Sequence, residues 1–500
     1  MNIRKAKQQI RNAIKAYLTR DDLGNYIIPI EKQRPVLLIG PPGIGKTAIM
    51  EQLASELGIC LISYSMTHHT RQSAIGLPFI SRRSFGGHEY DVTEYTMSEI
   101  IASVYDIMET SGIKQGILFL DEINCVSETL SPLMMQFLQY KVFGGHRLPE
   151  GWIVVTAGNP PEYNDSAREF DIVTLDRLKK IDVEPDYEAW KEYAAGAHIH
   201  PAVTSFLQSR RSCFYQVETT VSGKSIVTPR GWEDLSKMLQ LYEQNDLEID
   251  EDLVIQYLQN SRTAREFMVY LDLFRKYREE YPVDAVLDGE ASEEIALRAE
   301  NAGFDEVYTL IGLLISRLGE DIRQCMEEYH VLESVRSCVR KFRDDASADL
   351  PPQDNISGLI SRLQAGRESG IRAHSLSRTE SDRMLRTLSC LYDFADNISI
   401  CGSYEESEDM IRSEYGELVG SHTDRADRVR GRLDNLFRFA EKCWGEGKEM
   451  LIIVTELTAD PDAAMFISKY GSDEYFRHNK SLLFNERDLE IEQQISKLGL

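Results

Sequence analysis

No apolar run in the 500 residues approaches the 18 or so that a membrane-spanning helix requires. Cysteine is sparse. The eight thiols, at positions 60, 125, 213, 325, 338, 390, 401 and 443, form neither a CxxC pair nor a zinc-ribbon spacing. That excludes a disulfide-stapled framework and points to a reducing compartment, so the cytoplasm is the expected location. Basic charge is also short: 56 Lys and Arg face 81 Asp and Glu, giving a net charge of −25, most of it in the second half of the chain. A chain this negative repels phosphate polymers, which argues against a general nucleic-acid or anionic-membrane binder. Low-complexity segments and internal repeats are missing as well. The N-terminus MNIRKAKQQIRNAIKAYL lacks the apolar core and cleavage site of a signal peptide. Its Ile3, Ala6, Ile10, Ala13, Ile14 and Tyr17 recur at helical spacing and predict an amphipathic first helix.

With 42% apolar and 27% charged residues, the chain has a globular composition, and its length calls for two to four domains. From Pro35 to Val183, short apolar runs alternate with amphipathic stretches. PVLLI (Pro35 to Ile39), CLISY (Cys60 to Tyr64), ILFL (Ile117 to Leu120) and WIVVT (Trp152 to Thr156) read as buried strands. Thr47 to Leu57, Met97 to Glu109 and Leu130 to Tyr140 read as helices. The expected fold is therefore an α/β core with a parallel sheet, followed by a small helical lid and a large, mainly α-helical C-terminal region. The expected boundaries are 1–184 for the nucleotide-binding domain, 185–245 for the lid and 246–500 for the acidic remainder. Tyr215 to Val227 reads as extended, and Thr228-Pro229 opens a helix with Thr228 as N-cap. Further on, Leu253 to Tyr277, Asp305 to Gly319, Asp321 to Phe342 and Arg425 to Cys443 read as helices. Ala346 to Gly358 reads as a linker, and Met450 to Val454 is either strand or helix.

Three motifs carry chemistry. Gly40-Pro41-Pro42-Gly43-Ile44-Gly45-Lys46-Thr47 matches GxxxxGK[ST], with a strand before it and a helix after it. Backbone amides can converge on a phosphate only in a glycine-rich turn, and the following helix N-terminus favours the anion. Lys46 would reach the β- and γ-phosphates of ATP, and the Thr47 hydroxyl would ligate Mg²⁺. Gly116 to Leu120 is an apolar strand ending in Asp121-Glu122, at the sheet edge where ligands of open α/β sheets bind. Asp121 would hold Mg²⁺ through its water shell, and Glu122 would orient or deprotonate the attacking water. A third strand ends in Ala157-Gly158-Asn159-Pro160, where Asn159 can hydrogen-bond the lytic water or the γ-phosphate without adding charge. Lesser features are a basic, apolar loop with His68-His69, Arg71, Ile75 to Phe79 and Arg82-Arg83, the loop histidines His198 and His200, and the core thiols Cys325 and Cys338.

Together these motifs resemble an AAA+ ATPase of the MoxR type, in the helix-2-insert clade, over roughly residues 30 to 245. YKVFGGHRLPE (Tyr140 to Glu150) stands where that group carries a β-hairpin, and Met97 to Glu109 where its larger clade inserts a helix. Leu175-Asp176-Arg177-Leu178 is similar to the family's LDRF segment, and Thr228-Pro229-Arg230 falls at the lid's sensor arginine. The resemblance implies that Asn159 is sensor 1, Arg230 sensor 2, and Arg177, with Arg168 as rival, the arginine finger supplied by a neighbouring subunit. It further implies a hexameric ring whose ATP hydrolysis remodels a protein partner, commonly one with a von Willebrand factor A domain. The sequence departs from the family ahead of the phosphate loop, where NYIIPI (Asn25 to Ile30) replaces the usual box, and at Leu178. Two other readings use the same residues: a nucleotide-gated binding switch with negligible turnover, and a nucleic-acid motor, which the charge disfavours.

Overall fold

The computed structural model describes residues 1–220, 223–345 and 351–480. The chain divides into two compact units, 1–189 with 357–388, and 190–356 with 389–500. The first helix, Ile3–Tyr17, buries the apolar stripe Ala6, Ile10, Ala13 and Ile14, as its periodicity requires.

The first unit is built on five parallel strands: β1 (Val36–Ile39), β2 (Cys60–Ser65), β3 (Gly116–Asp121), β4 (Trp152–Gly158) and β5 (Lys179–Asp182). Their order across the sheet is β2-β3-β4-β1-β5, every neighbouring pair parallel. β4 is buried at all seven positions and β3 at five of six, which is why the sequence shows continuous apolar runs there. Helix α1 (Ala48–Leu57) follows β1 and inserts Ile49, Met50, Leu53 and Ala54 into the core; helices α2 (Glu99–Ser111) and α3 (Ser131–Tyr140) also cover the sheet. A short hairpin, Val142–Phe143 with His146–Arg147, precedes β4, and its Phe143 ring stacks on Phe137 of α3 at 4.0 Å.

The segment after β2 differs from the loop expected there. Pro78–Phe85 and His88–Tyr95 form an eight-residue antiparallel hairpin around Gly86-Gly87. Arg82 lies opposite Asp91 and pairs with it at 3.5 Å, while Arg83 pairs with Glu94, so cross-strand acids neutralise the expected basic patch. The side chains of His68 and Arg71 lie outside the described residues. Phe79, Ile80, Phe85 and Tyr90 on this hairpin are exposed.

A piece from far along the chain completes the unit. The turn joining helices Pro352–Arg372 and Arg378–Ile398 lies on the outer edge of β2, where the Leu61 amide donates to the Ala373 carbonyl at 3.1 Å. Ala373 is fully buried in the core, Ser55 Oγ of α1 donates to Glu380 Oε2 at 2.7 Å, and Ser369 Oγ donates to the Ser111 carbonyl. The docked turn thus covers part of a sheet edge that would otherwise expose unpaired amides.

Among its described residues the second unit is mainly helical, with one antiparallel pair, Gln216–Thr220 and Gly223–Val227, in the segment read as extended. Helix Pro229–Gln244 starts as its sequence dictates, Thr228 Oγ1 accepting from the Gly231 amide at 3.1 Å. The expected helix Leu253 to Tyr277 is two helices, Glu251–Leu258 and Ser261–Glu280; Gln259 adopts a left-handed backbone (φ +46°) and Asn260 caps the second. Conversely, Asp305 to Gly319 and Asp321 to Phe342 are one helix, Phe304–Asp344, because Gly319 weakens a helix without ending it. Met450 to Val454 is helical, within Lys448–Ala459. The expected linker Ala346 to Gly358 is corrected in its second half: Pro352 opens a helix, the position where proline is best tolerated. Residues 346–350 lie outside the described residues. His200 stands at a helix boundary but is buried, its Nδ1 accepting from the Ala202 amide at 3.1 Å. Leu310, Leu314, Leu318 and Ile322 of the 41-residue helix pack with Leu433, Phe437, Ile453 and Phe466 in this unit's main core. All eight cysteines are free, Cys325 buried and Cys338 half-buried. Among the described residues no helix is long and apolar enough to cross a membrane.

Candidate nucleotide site

Three neighbouring strands, β1, β3 and β4, deliver their motifs to the carboxyl edge of the sheet. The loop from Gly40 to Thr47 leaves β1 and enters α1. Gly43 and Gly45 take φ of +75° and +91°, a backbone that a side chain would strain and that a phosphate-cradling turn requires. Lys46 is buried. Its ammonium donates to the carbonyls of Gly40 (2.7 Å) and Pro41 (2.8 Å) and to Oδ1 of Asn159 (2.8 Å). An ammonium has three protons, so a phosphate oxygen would take the place of one of these acceptors.

Thr47 Oγ1 donates to Asp121 Oδ2 at 3.1 Å. A hydroxyl and a carboxylate adjoining at the head of a phosphate loop are the hard oxygen donors that suit Mg²⁺, which keeps most of its waters and takes few protein ligands. The other Asp121 oxygen accepts from the Glu122 amide at 2.8 Å. Glu122 itself adopts φ +54°, a left-handed backbone that turns its side chain away from the strand direction. Its Oε2 accepts from Ser65 Oγ at 2.9 Å and Thr67 Oγ1 at 3.1 Å. The residue types and spacing of the site therefore fit a magnesium-bound triphosphate.

The structure brings together Gly40 to Thr47, Asp121, Glu122 and Asn159. Arg177 caps the short helix Ile172–Asp176 and is exposed, with no ion pair among the described residues. Arg168 is also exposed and pairs with Glu128 at 2.9 Å. Arg230 is exposed in the first turn of Pro229–Gln244, in the second unit.

Three residues at the site were not singled out from the sequence. Ser65 and Thr67 reach Glu122 only because β2 lies beside β3, an adjacency that spacing along the chain does not encode. Asn124 is buried in the turn after Glu122 and donates from Nδ2 to the Asn159 carbonyl at 2.8 Å. Its signal in the sequence is a polar residue set between Ile123 and Cys125-Val126, directly after Asp121-Glu122.

The fold and site define a phosphate-loop nucleotide-binding α/β protein. Residues 36–172 match the family described as "ATPase family associated with various cellular activities (AAA)", so the chain carries an AAA-family ATPase domain. No curated protein matches the sequence. Among solved structures, a lysine-to-arginine mutant of Thermotoga maritima RuvB is similar at 16% identity and a TM-score of 0.30, over 57% of this chain and 76% of that one. A proline-to-glycine mutant of the same protein is similar at 17% identity and a TM-score of 0.29, over 51% and 68%.

Proposed function

We propose that the protein is a magnesium-dependent ATPase of MoxR type that works as a ring and remodels or activates a protein partner, one carrying a von Willebrand factor A domain. The observation that carries the enzymatic part is the meeting of Lys46 with Asn159 and of Thr47 with Asp121 at one sheet edge. The MoxR reading is supported by the hairpin ahead of β4 and by helix α2, in the positions the resemblance requires.

ATP would be held by the amides of residues 40–47 and by Lys46, and Mg²⁺ by Thr47 and Asp121. When bound, the metal would neutralise phosphate charge. Glu122 accepts a proton from, or orients, the attacking water, and Asn159 aligns that water through its neutral amide. Ser65 and Thr67 fix where the Glu122 carboxylate sits. An arginine from the neighbouring copy, Arg177 or Arg168, stabilises the charge that develops on transfer, and this ties turnover to assembly. Arg230 reads phosphate loss from the lid. In the test, Glu122→Gln should lower ATP turnover at least a hundredfold while leaving nucleotide binding intact; unchanged turnover would remove Glu122 from its role.

A further inference from the structure

Asn124 makes three hydrogen bonds to two separate parts of the site. Its Nδ2 donates to the Asn159 carbonyl at 2.8 Å and to the Arg168 carbonyl at 3.4 Å. Its own backbone carbonyl accepts from the Arg168 amide at 2.9 Å. The side chain is 5% exposed, and its placement leaves room for glycine alone on β4: a Cβ on Gly158 would fall 2.4 Å from Asn124 Oδ1. The loop that returns to Arg168 is braced beside it, Asn164 Nδ2 meeting Cys125 Sγ at 3.2 Å and the Ala167 amide donating to the Asn164 carbonyl at 2.9 Å.

We infer that Asn124 is a positioning residue: its side-chain amide fixes the backbones of Asn159 and Arg168 relative to the strand that ends in Asp121 and Glu122. The chemistry suits the task. Two carbonyls converge on one nitrogen, and an amide NH₂ supplies two protons without a charge. A carboxylate there would turn acceptors toward acceptors and add a third negative charge beside Asp121 and Glu122. A cation would pair with those acids and draw them from the metal side. Holding the Asn159 backbone keeps its Oδ1 at Lys46, and holding Arg168 on both sides of its Cα places the guanidinium at the surface, where it pairs with Glu128. One buried amide thus sets a group acting in its own site and the backbone of an arginine at the surface beside it.

The catalytic part of this inference rests on the ATPase reading above, so the test has two readouts. Asn124→Asp and Asn124→Ser, which keeps one donor, are compared with the wild type as full-length protein. In steady-state ATP hydrolysis, Asn124→Asp should lower kcat tenfold or more with KM for ATP within twofold, and Asn124→Ser should fall between the two. In amide hydrogen exchange, residues 158–170 should exchange faster in Asn124→Asp while 36–57 keep their protection. Faster exchange confined to 158–170 together with a wild type that does not hydrolyse ATP would sink the ATPase reading and leave the positioning role standing. Unchanged exchange at 158–170, or a kcat equal to wild type in a wild type that turns over, would overturn the inference. So would parallel changes in KM and in exchange across the whole unit, the mark of a general folding defect.

Discussion

Replacing Lys141 with methionine should stabilise the protein, by more at pH 6 than at pH 9.5. Lys141 ends helix α3 in a left-handed backbone, is 1% exposed, and directs Nζ to the carbonyl of Leu138. Burial pushes its pKa down from 10.5 to about 7. The folded value lies below the unfolded one, so the unfolded chain keeps a proton that the folded chain releases between those pH values. Stability is therefore lost as pH falls through that window, and the loss is complete below about pH 7. At about 1.4 kcal/mol per unit the gap sets a ceiling of about 5 kcal/mol. The bond to Leu138 and the carbonyls at the helix C-terminus offset part of it, leaving about 2–4 kcal/mol for removing the charge. Methionine nearly matches the chain length, and the left-handed backbone costs the same in both proteins and cancels. Paired urea denaturation curves from pH 6 to pH 9.5 would read the difference in midpoint. A difference that stays constant across that range would refute the reasoning, because a packing gain alone carries no pH dependence.

Thr47→Ala should raise the Mg²⁺ concentration needed for half-maximal ATP binding by about tenfold, the removal of one oxygen ligand, as followed by calorimetry at varied metal. Ala373→Asp should place a charge in the buried turn on β2 and strip protection from the Leu61 amide in hydrogen exchange; an unchanged rate there would show that the turn is not docked. Glu243 is held down to about 2 by the His200 ring nitrogen at 3.4 Å and by Arg278 at 3.1 Å. Its contribution is complete above pH 4.5 and is lost as pH falls toward 2. Glu243→Gln should cost about 1–2 kcal/mol at pH 7 and flatten that part of the acid-unfolding curve.

Much of the nucleotide site was legible because its signals are local. A glycine-rich turn between a strand and a helix, and carboxylates ending a buried strand, are consequences of a few adjacent residues. The hairpin Pro78–Phe85 with His88–Tyr95 has one local signal, the two-residue turn Gly86-Gly87, but Phe79-Ile80 and Arg82-Arg83 break the alternation that would mark its first strand. The break at Gln259 was signalled by Asn260 as a cap, whereas the joining of the helices at Glu320 was not, because a lone glycine weakens a helix locally and packing decides whether it continues.

Residue type and short-range backbone preference are enough to specify the phosphate loop, the acids at the end of β3 and the amide after β4. Which chain segments share the site depends on how the sheet assembles. Strand order sets Ser65 beside Glu122, and the turn after Glu122 sets Asn124 under Asn159 and Arg168. The docking of residues 357–388 on β2 joins parts of the chain more than 300 residues apart. Such contacts depend on the free energy of burying surfaces that become neighbours only once the sheet has formed, and no local pattern records them.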